Sequence, residues 1–80
     1  MLVTGAQLRA ARALTRIGQD QLATLAEVAP ATVARLESTD GPLNARAETL
    51  RRLQRALEAA GVVFTDGDEP GVRLRRRPAA

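Results

Sequence analysis

Two helix-forming runs stand only three residues apart in the first half of the chain. The first is "QDQLATLA", residues 19–26, and the second is "PATVARLE", residues 30–37. Pro30 suits the first position of the second helix, because its fixed φ is helical and its missing N–H would have no partner there. Two short helices this close together are typical of units that read DNA.

The flanking residues predict two more helices. Thr4 and Gln7 form a capping box, so we expect a first helix over about residues 5–15. A fourth helix should follow a cap at Asn44 or a neighbour, and Gly61 should end it in the left-handed conformation. The apolar residues at helical spacing, which we expect to face the core, are Leu8, Ala11, Leu14, Leu22, Ala23, Leu25, Val33, Leu36, Leu50, Leu53, Leu57 and Ala60.

The last twenty residues have a different character. "VVF" (62–64) and "VRL" (72–74) are short β-prone runs separated by "TDGDEPG", which is dense in turn-forming residues. They predict a hairpin with a seven-residue loop, which needs a helical face or another chain to pack on. We therefore predict a mainly α fold, with a four-helix domain over 1–61, a β-hairpin over 62–75 and a disordered basic tail over 76–80.

Composition limits the classes of function. The chain has 80 residues, which is room for one small domain, and it has neither cysteine nor histidine, so we expect no disulfide, no thiolate chemistry and no metal site. There is also no glycine-rich phosphate loop, and we predict that the protein is not an enzyme and binds no cofactor. No apolar run approaches the roughly 20 residues of a membrane helix, and the first residues do not form a signal peptide. We expect a cytoplasmic protein with no membrane partner.

The net charge of +3 is unevenly distributed, and every basic residue is an arginine. This use of arginine alone is typical of a nucleotide bias in the genome, although arginine also suits phosphates and base edges better than lysine does. By count, residues 1–18 carry +3, residues 19–45 carry −3, residues 46–60 carry +2 and residues 61–80 carry +1. The two central helices therefore lie in an acidic segment, which weakens a purely electrostatic argument for DNA binding.

The central stretch "QDQLATLAEVAPATVARLE" resembles the helix-turn-helix of the XRE family, which contains the phage lambda-type and 434-type repressors and the Cro proteins. The resemblance covers about residues 5–60, and it implies a lambda-repressor-like four-helix fold. It departs from the family pattern at Glu27, where the turn usually carries glycine, at Ala29, where serine or threonine commonly caps the recognition helix, and at Gly18, which replaces a serine. The matching residues are Gln19, Leu22, Ala23, Val28, Thr32, Val33, Arg35, Leu36 and Glu37.

The resemblance implies which side chains would read bases. Pro30, Ala31 and Arg35 would face base edges, and Arg35 is the one that can bond bidentately to guanine, a contact worth about 1–3 kcal/mol. Thr32 would contact a phosphate or a thymine methyl. The alternatives are that Arg35 is a solvated surface residue and that Thr32 bonds within its own helix.

Other residues would position the domain. By the resemblance, Gln19 would bind a phosphate or brace the recognition helix, or it would be a helix residue with no ligand. Asn44 and Arg46 would lie near the DNA backbone, and Arg12 and Glu37 would form a semi-buried structural ion pair. Such a pair fixes geometry more than it adds net stability.

Two arginine clusters are open to different interpretations. Arg51, Arg52 and Arg55 are expected to form a solvated face, with phosphate contact as the alternative. The run that includes Arg73 and residues 75–77 would either track phosphates or protect a strand edge by its charge.

The resemblance implies a sequence-specific DNA-binding transcriptional regulator that binds a two-fold site on double-stranded DNA as a homodimer. We predict that two hairpins pair across the two-fold axis and set the half-site spacing. The competing hypothesis is a protein-interaction module, an antitoxin or a regulator adaptor with its own protein partner. The apolar Pro30-Ala31 front and the acidic segment favour that alternative.

Overall fold

The computed structural model describes residues 1–65 and 68–75, which form four helices and a two-stranded antiparallel hairpin. The predicted mainly helical architecture with a C-terminal hairpin is confirmed. Asp66, Gly67 and the tail predicted at 76–80 lie outside the described residues. No helix in the described part is long and apolar enough to cross a membrane. The elements are α1 (Gly5–Thr15), α2 (Gln19–Ala26), α3 (Pro30–Glu37), α4 (Ala47–Ala59), β1 (Val62–Thr65) and β2 (Gly71–Leu74).

The predicted capping box begins α1. The Thr4 hydroxyl accepts a hydrogen bond from the Gln7 backbone N–H at 3.1 Å, and the Gln7 side-chain oxygen accepts one from the Thr4 backbone N–H at 3.0 Å. These bonds satisfy two backbone donors that a helix N-terminus leaves without intrahelical partners. The Gln7 side chain is buried and also donates to the Gly71 carbonyl at 3.1 Å. One residue therefore both starts α1 and holds the hairpin against it.

The start of α1 packs tightly against the loop that follows α3. The Gly5 N–H donates to the Gly41 carbonyl at 2.9 Å, and the Leu43 N–H donates to the Val3 carbonyl at 2.9 Å. A Cβ atom at Gly5 would lie 1.8 Å from the Thr39 carbonyl oxygen. This approach of two backbones therefore requires glycine at position 5.

The connection between α2 and α3 contains one residue in the left-handed conformation. Glu27 adopts a left-handed conformation with φ of 58°, which costs a residue other than glycine about 1 kcal/mol. The next N–H, that of Val28, donates to the Ala23 carbonyl at 3.0 Å. Neither Gly18 before α2 nor Ala29 before α3 supplies a side-chain cap.

The core prediction is wrong at Leu25, which is 55% exposed. The buried face of α2 is set by Leu22, Ala23 and Ala26, and helical geometry places Leu25 beyond the edge of that face. Leu14 is 42% exposed for the same reason, because it lies at the edge of the buried side of α1. The large side chains that are fully buried are Leu2, Leu8, Leu22, Val33, Leu36, Leu53, Leu57 and Val62.

The cap of α4 was predicted at Asn44 or a neighbour; the N-cap residue is Arg46, two residues after Asn44, and its side chain makes no capping bond. Leu43 pairs with Val3 upstream of the helix, and Arg46 is extended immediately before the chain turns helical. At the other end of α4, Gly61 adopts a φ of 106°, as predicted for the residue that terminates this helix. Among the predicted apolar residues of α4, Leu53 and Leu57 are buried, whereas Leu50 and Ala60 are half-buried.

The hairpin packs on α1 and α4 and closes the core from one end. Val62 pairs with Leu74 in the antiparallel register, and Val62 is fully buried in the helical core. Each strand is one residue longer than predicted, because Thr65 pairs with Gly71. The connection is therefore five residues long and not seven.

Candidate nucleic-acid interface

The side of α3 that faces away from the core is bare in the described part of the chain. Val33 and Leu36 are fully buried and fix the rotation of α3 about its axis. We name the opposite side the α3 face; it consists of Pro30, Ala31, Thr32, Ala34 and Arg35. All of these are exposed except Thr32, which is half-buried.

Arg35 provides the cation of the α3 face. Its Nη1 donates to the Asn44 backbone carbonyl at 3.2 Å, and the side chain is exposed. A guanidinium has five N–H donors, so this bond orients the group and leaves the other donors free for a ligand. The Asn44 carbonyl, not its side chain, thus supports the arginine.

A polar cleft of about 270 Å³ lies beside the α3 face, between the N-termini of α3 and α4. Thr32, Thr49, Arg46 and Arg52 line it, together with two acids, Glu27 and Glu48. No side chain caps α4, so its first backbone N–H groups lack a side-chain acceptor, and helix N-termini attract anions. The N-terminus of α3 offers less, because Pro30 has no N–H and the Thr32 N–H donates to the Ala29 carbonyl at 2.9 Å. The structure therefore brings together Arg46, which was predicted to lie near the DNA backbone, and Thr32, which was predicted to contact a phosphate or a thymine methyl.

Glu37, at the end of α3, is the centre of a buried hydrogen-bond network. Arg12 donates from Nε to Oε2 of Glu37 at 2.6 Å and from Nη2 to Oε1 at 2.8 Å. Gln19 Nε2 donates to Oε1 at 2.9 Å. The expected ion pair of Arg12 and Glu37 is present, and Gln19 makes the bracing contact, one of the roles predicted for it. The network ties α1, α2 and α3 together.

The network holds Glu37 in its ionised form. Burial alone would raise the pKa of this carboxyl, whose side chain is 4% exposed. The hydrogen bonds from Arg12 and Gln19 and the charge of Arg12 outweigh that cost and lower the pKa of Glu37 below its ordinary value. The hydrogen bond to Glu37 correspondingly raises the pKa of Arg12.

Arg9 neutralises a second acid of the acidic segment, a role that sequence reasoning missed. Its Nη2 forms an ion pair with Asp40, and its Nη1 donates to the Glu37 carbonyl at 2.7 Å. With Glu37 paired to Arg12 as well, two of the four acids in residues 19–45 are neutralised by α1, and the local charge falls from −3 to −1. The acidic count thus overstates the repulsion that the α3 face would exert on an anion.

Arg52 was predicted to lie on a solvated face, with phosphate contact as the alternative; it is exposed and also makes two contacts within the chain. Its Nη1 donates to the Glu27 carbonyl at 3.1 Å, and its Nη2 donates to Oε1 of Glu48 at 3.1 Å. The four-residue spacing to Glu48 is a helical pairing signal. No local pattern indicates the bond to Glu27, which joins α4 to the turn between α2 and α3.

The predicted site residues divide into two groups. The first group lies on or beside the α3 face. It consists of four residues of α3, Pro30, Ala31, Thr32 and Arg35, and of two residues before α4, Asn44 at the Arg35 guanidinium and Arg46 in the cleft. Gln19 is separate, since its side chain is bound to Glu37. Within residues 1–65 and 68–75, no group of three acidic side chains is close enough to hold a metal ion. A scan against protein-family models and a search of curated proteins found no match to the chain.

Proposed function

We propose that this chain is a sequence-specific DNA-binding transcriptional regulator of XRE type, in which α2 and α3 form a lambda-repressor-like helix-turn-helix. The observation that carries the proposal is the bare α3 face. Val33 and Leu36 are buried, so α3 cannot rotate without loss of core packing, while Ala31 and Arg35 are exposed to solvent. A helix fixed in this way can enter the major groove of DNA and present the same side chains each time.

Base recognition rests mainly on Arg35. Its guanidinium can bond bidentately to O6 and N7 of guanine, which discriminates against another base by about 1–3 kcal/mol. Pro30 and Ala31 have no donor or acceptor in their side chains, so they offer only apolar contact, such as contact with a thymine methyl. Each half-site is therefore read with modest specificity, and DNA shape adds to it.

The phosphate contacts come from the polar cleft. Thr32 and Thr49 offer hydroxyl donors, Arg46 offers an exposed guanidinium, and the uncapped N-terminus of α4 offers backbone N–H groups. Phosphate contacts fix the register of a protein on the duplex without reading its sequence. They would hold Arg35 opposite one base pair.

We further propose that the protein binds a two-fold site as a homodimer through its hairpin. The sheet has two strands in the described part of the chain, so each has an outer edge without a partner strand, and Leu74 on β2 is 48% exposed. Gln7 bonds the hairpin to α1, which fixes the hairpin relative to α3. Pairing of two hairpins would thus set the distance between two α3 faces.

Selection of duplexes from a random-sequence pool by the full chain tests this function. We expect enrichment of two-fold symmetric sites that bind two chains each. Affinity should fall steeply between about 50 and 200 mM salt, because phosphate contacts release counterions.

Failure to enrich any sequence, or binding that does not respond to salt, would contradict the proposal. Either result would favour the alternative of a protein-interaction scaffold. Enriched single half-sites with one chain per duplex would retain DNA reading and remove the dimer.

A further inference from the structure

A second surface lies on another side of the molecule, between α2 and α4. It is an open groove of about 320 Å³, which we name the α2–α4 groove. Leu25, Ala26, Ala56 and Ala59 form its apolar part. The mostly exposed Leu25 is the one large aliphatic side chain among them, and nothing in the described part of the chain covers it.

The rim of the α2–α4 groove is basic. Arg52 and Arg55 line it, and Arg51 stands beside them on the exposed side of α4. Two acids are nearby, Glu27 in the groove and Glu48 in the ion pair with Arg52. Three arginines against these two glutamates leave a charge of +1. A third acid, Glu58, lies three residues after Arg55 on α4 and accepts a hydrogen bond from Gln54 at 3.3 Å. Within the described residues, Arg51 and Arg55 make no side-chain hydrogen bond or ion pair, so their guanidiniums are available to carboxylates from outside.

The apolar part of the groove favours a protein over DNA as its occupant. A phosphate backbone is charged and buries little apolar surface against an exposed leucine, whereas an aliphatic side chain that packs on Leu25 removes apolar surface from water. Ala56 and Ala59 lie three residues apart on α4, and residues at this spacing neighbour each other on a helix surface. Their short side chains leave room for another helix to approach closely.

We propose that the α2–α4 groove binds an acidic amphipathic helix of a partner protein. A leucine-sized side chain of that helix packs on Leu25 between Ala56 and Ala59, and its flanking carboxylates pair with Arg51 and Arg55. This is the helix-in-groove mode of recognition, with apolar anchors at helical spacing. The proposal does not depend on the α3 face, because it uses neither Arg35 nor any other residue of that face. The groove shares Arg52 and Glu27 with the polar cleft, but the pairing with the partner uses Arg51 and Arg55, which do not line the cleft.

The test is an NMR titration of the isotopically labelled full chain with a synthetic helical peptide. The probe peptide carries leucines at i, i+3, i+4 and i+7 and glutamates on its flanks, and a matched peptide carries glutamine in place of each glutamate. We expect the probe to shift the amide resonances of Leu25, Ala56 and Ala59. The glutamine peptide should bind about fivefold more weakly.

Four variants separate the groove from the general surface. Leu25→Gln should raise the dissociation constant about tenfold or more through loss of the apolar anchor, and Arg55→Glu should raise it about fivefold. The matched controls are Leu14→Gln, the exposed leucine of α1, and Arg16→Glu, an exposed arginine outside the groove. Both controls should change the dissociation constant of the probe peptide by less than about twofold. Because Leu25 and Leu14 are both substantially exposed, all four variants are expected to melt at temperatures near that of the wild-type chain.

Three results would overturn the proposal. The first is no binding of the probe, and the second is equal binding by the wild-type chain and the Leu25→Gln and Arg55→Glu variants. The third is that duplex DNA, and not the peptide, shifts the groove resonances, and that Arg55→Glu weakens the binding of this DNA. That third outcome would assign the groove to nucleic acid. Loss of DNA binding in Arg35→Ala with retained peptide binding would leave the proposal intact, so the two proposals fail separately.

Discussion

Substitution of Gly5 by alanine should lower the free energy of unfolding by more than about 3 kcal/mol. The new Cβ would lie 1.8 Å from the Thr39 carbonyl oxygen and 2.8 Å from the Leu36 carbonyl oxygen. These are backbone atoms, so the clash is relieved only if the start of α1 separates from the end of α3 and the loop after it. Separation would also break the bond from the Gly5 N–H to the Gly41 carbonyl.

The gain in helix propensity from glycine to alanine, about 1 kcal/mol, does not offset this loss. Urea denaturation followed by circular dichroism measures the change. Gly18→Ser is the matched control, because a Cβ at Gly18 meets nothing within 4 Å and its φ is −73°. Serine there adds a helix cap and should stabilise by a few tenths of a kcal/mol. A Gly5→Ala variant as stable as the wild-type chain would contradict the tight approach of α1 to the loop after α3.

Substitution of Glu37 by glutamine should lower the free energy of unfolding by about 2–3 kcal/mol. Removal of one partner of a buried pair costs about 3–5 kcal/mol, and the partial exposure of Arg12, 23% of its side chain, reduces that cost. Glutamine retains the size of the side chain but leaves the Arg12 guanidinium without its counter-charge. For a chain of this size, the melting temperature should fall by about 10–20 °C.

Glu37 should also make the free energy of unfolding depend on pH. The pKa of Glu37 is lower in the folded chain than its ordinary value, which is about 4.3 in the unfolded chain. The stabilisation is therefore present above about pH 4.3 and is lost as the pH falls through the lower folded-state value. Denaturation curves at several acidic pH values should show this loss in the wild-type chain and a smaller loss in Glu37→Gln.

Glu48→Gln is the control for both measurements. Glu48 and Arg52 form an exposed pair on α4, and such pairs contribute about 0–1 kcal/mol. Equal effects of Glu37→Gln and Glu48→Gln on stability would show that the Arg12–Glu37 pair is no more important than a surface pair.

Short-range signals in the sequence were sufficient for most helix boundaries. Thr4 and Gln7 form the predicted capping box, and Pro30 begins α3, because both effects depend on residues within one helical turn. Local patterns therefore gave the element order, and with it the position of the α3 face.

The features that could not be predicted from the sequence depend on contacts between residues that are far apart along the chain. The constraint on Gly5 comes from Thr39, 34 residues later, and no local pattern indicates that approach. Leu25 was placed in the core because a leucine at near-helical spacing resembles a buried one. In a helix as short as α2, only the packing of its neighbours decides which side is buried.

The most direct test of the central claim compares binding to two duplexes, a selected duplex and one in which the guanine of each half-site is replaced. The quantity measured is the preference for the selected duplex, in the wild-type chain and in Arg35→Ala. The wild-type chain should prefer the selected duplex, and Arg35→Ala should lose about 1–3 kcal/mol of that preference per half-site, about five- to 150-fold. Arg16→Ala removes the same charge from an exposed position off the α3 face, and it should weaken binding to both duplexes equally and retain the preference. An Arg35→Ala protein that discriminates between the two duplexes as well as the wild-type chain does would contradict the claim that the α3 face reads DNA.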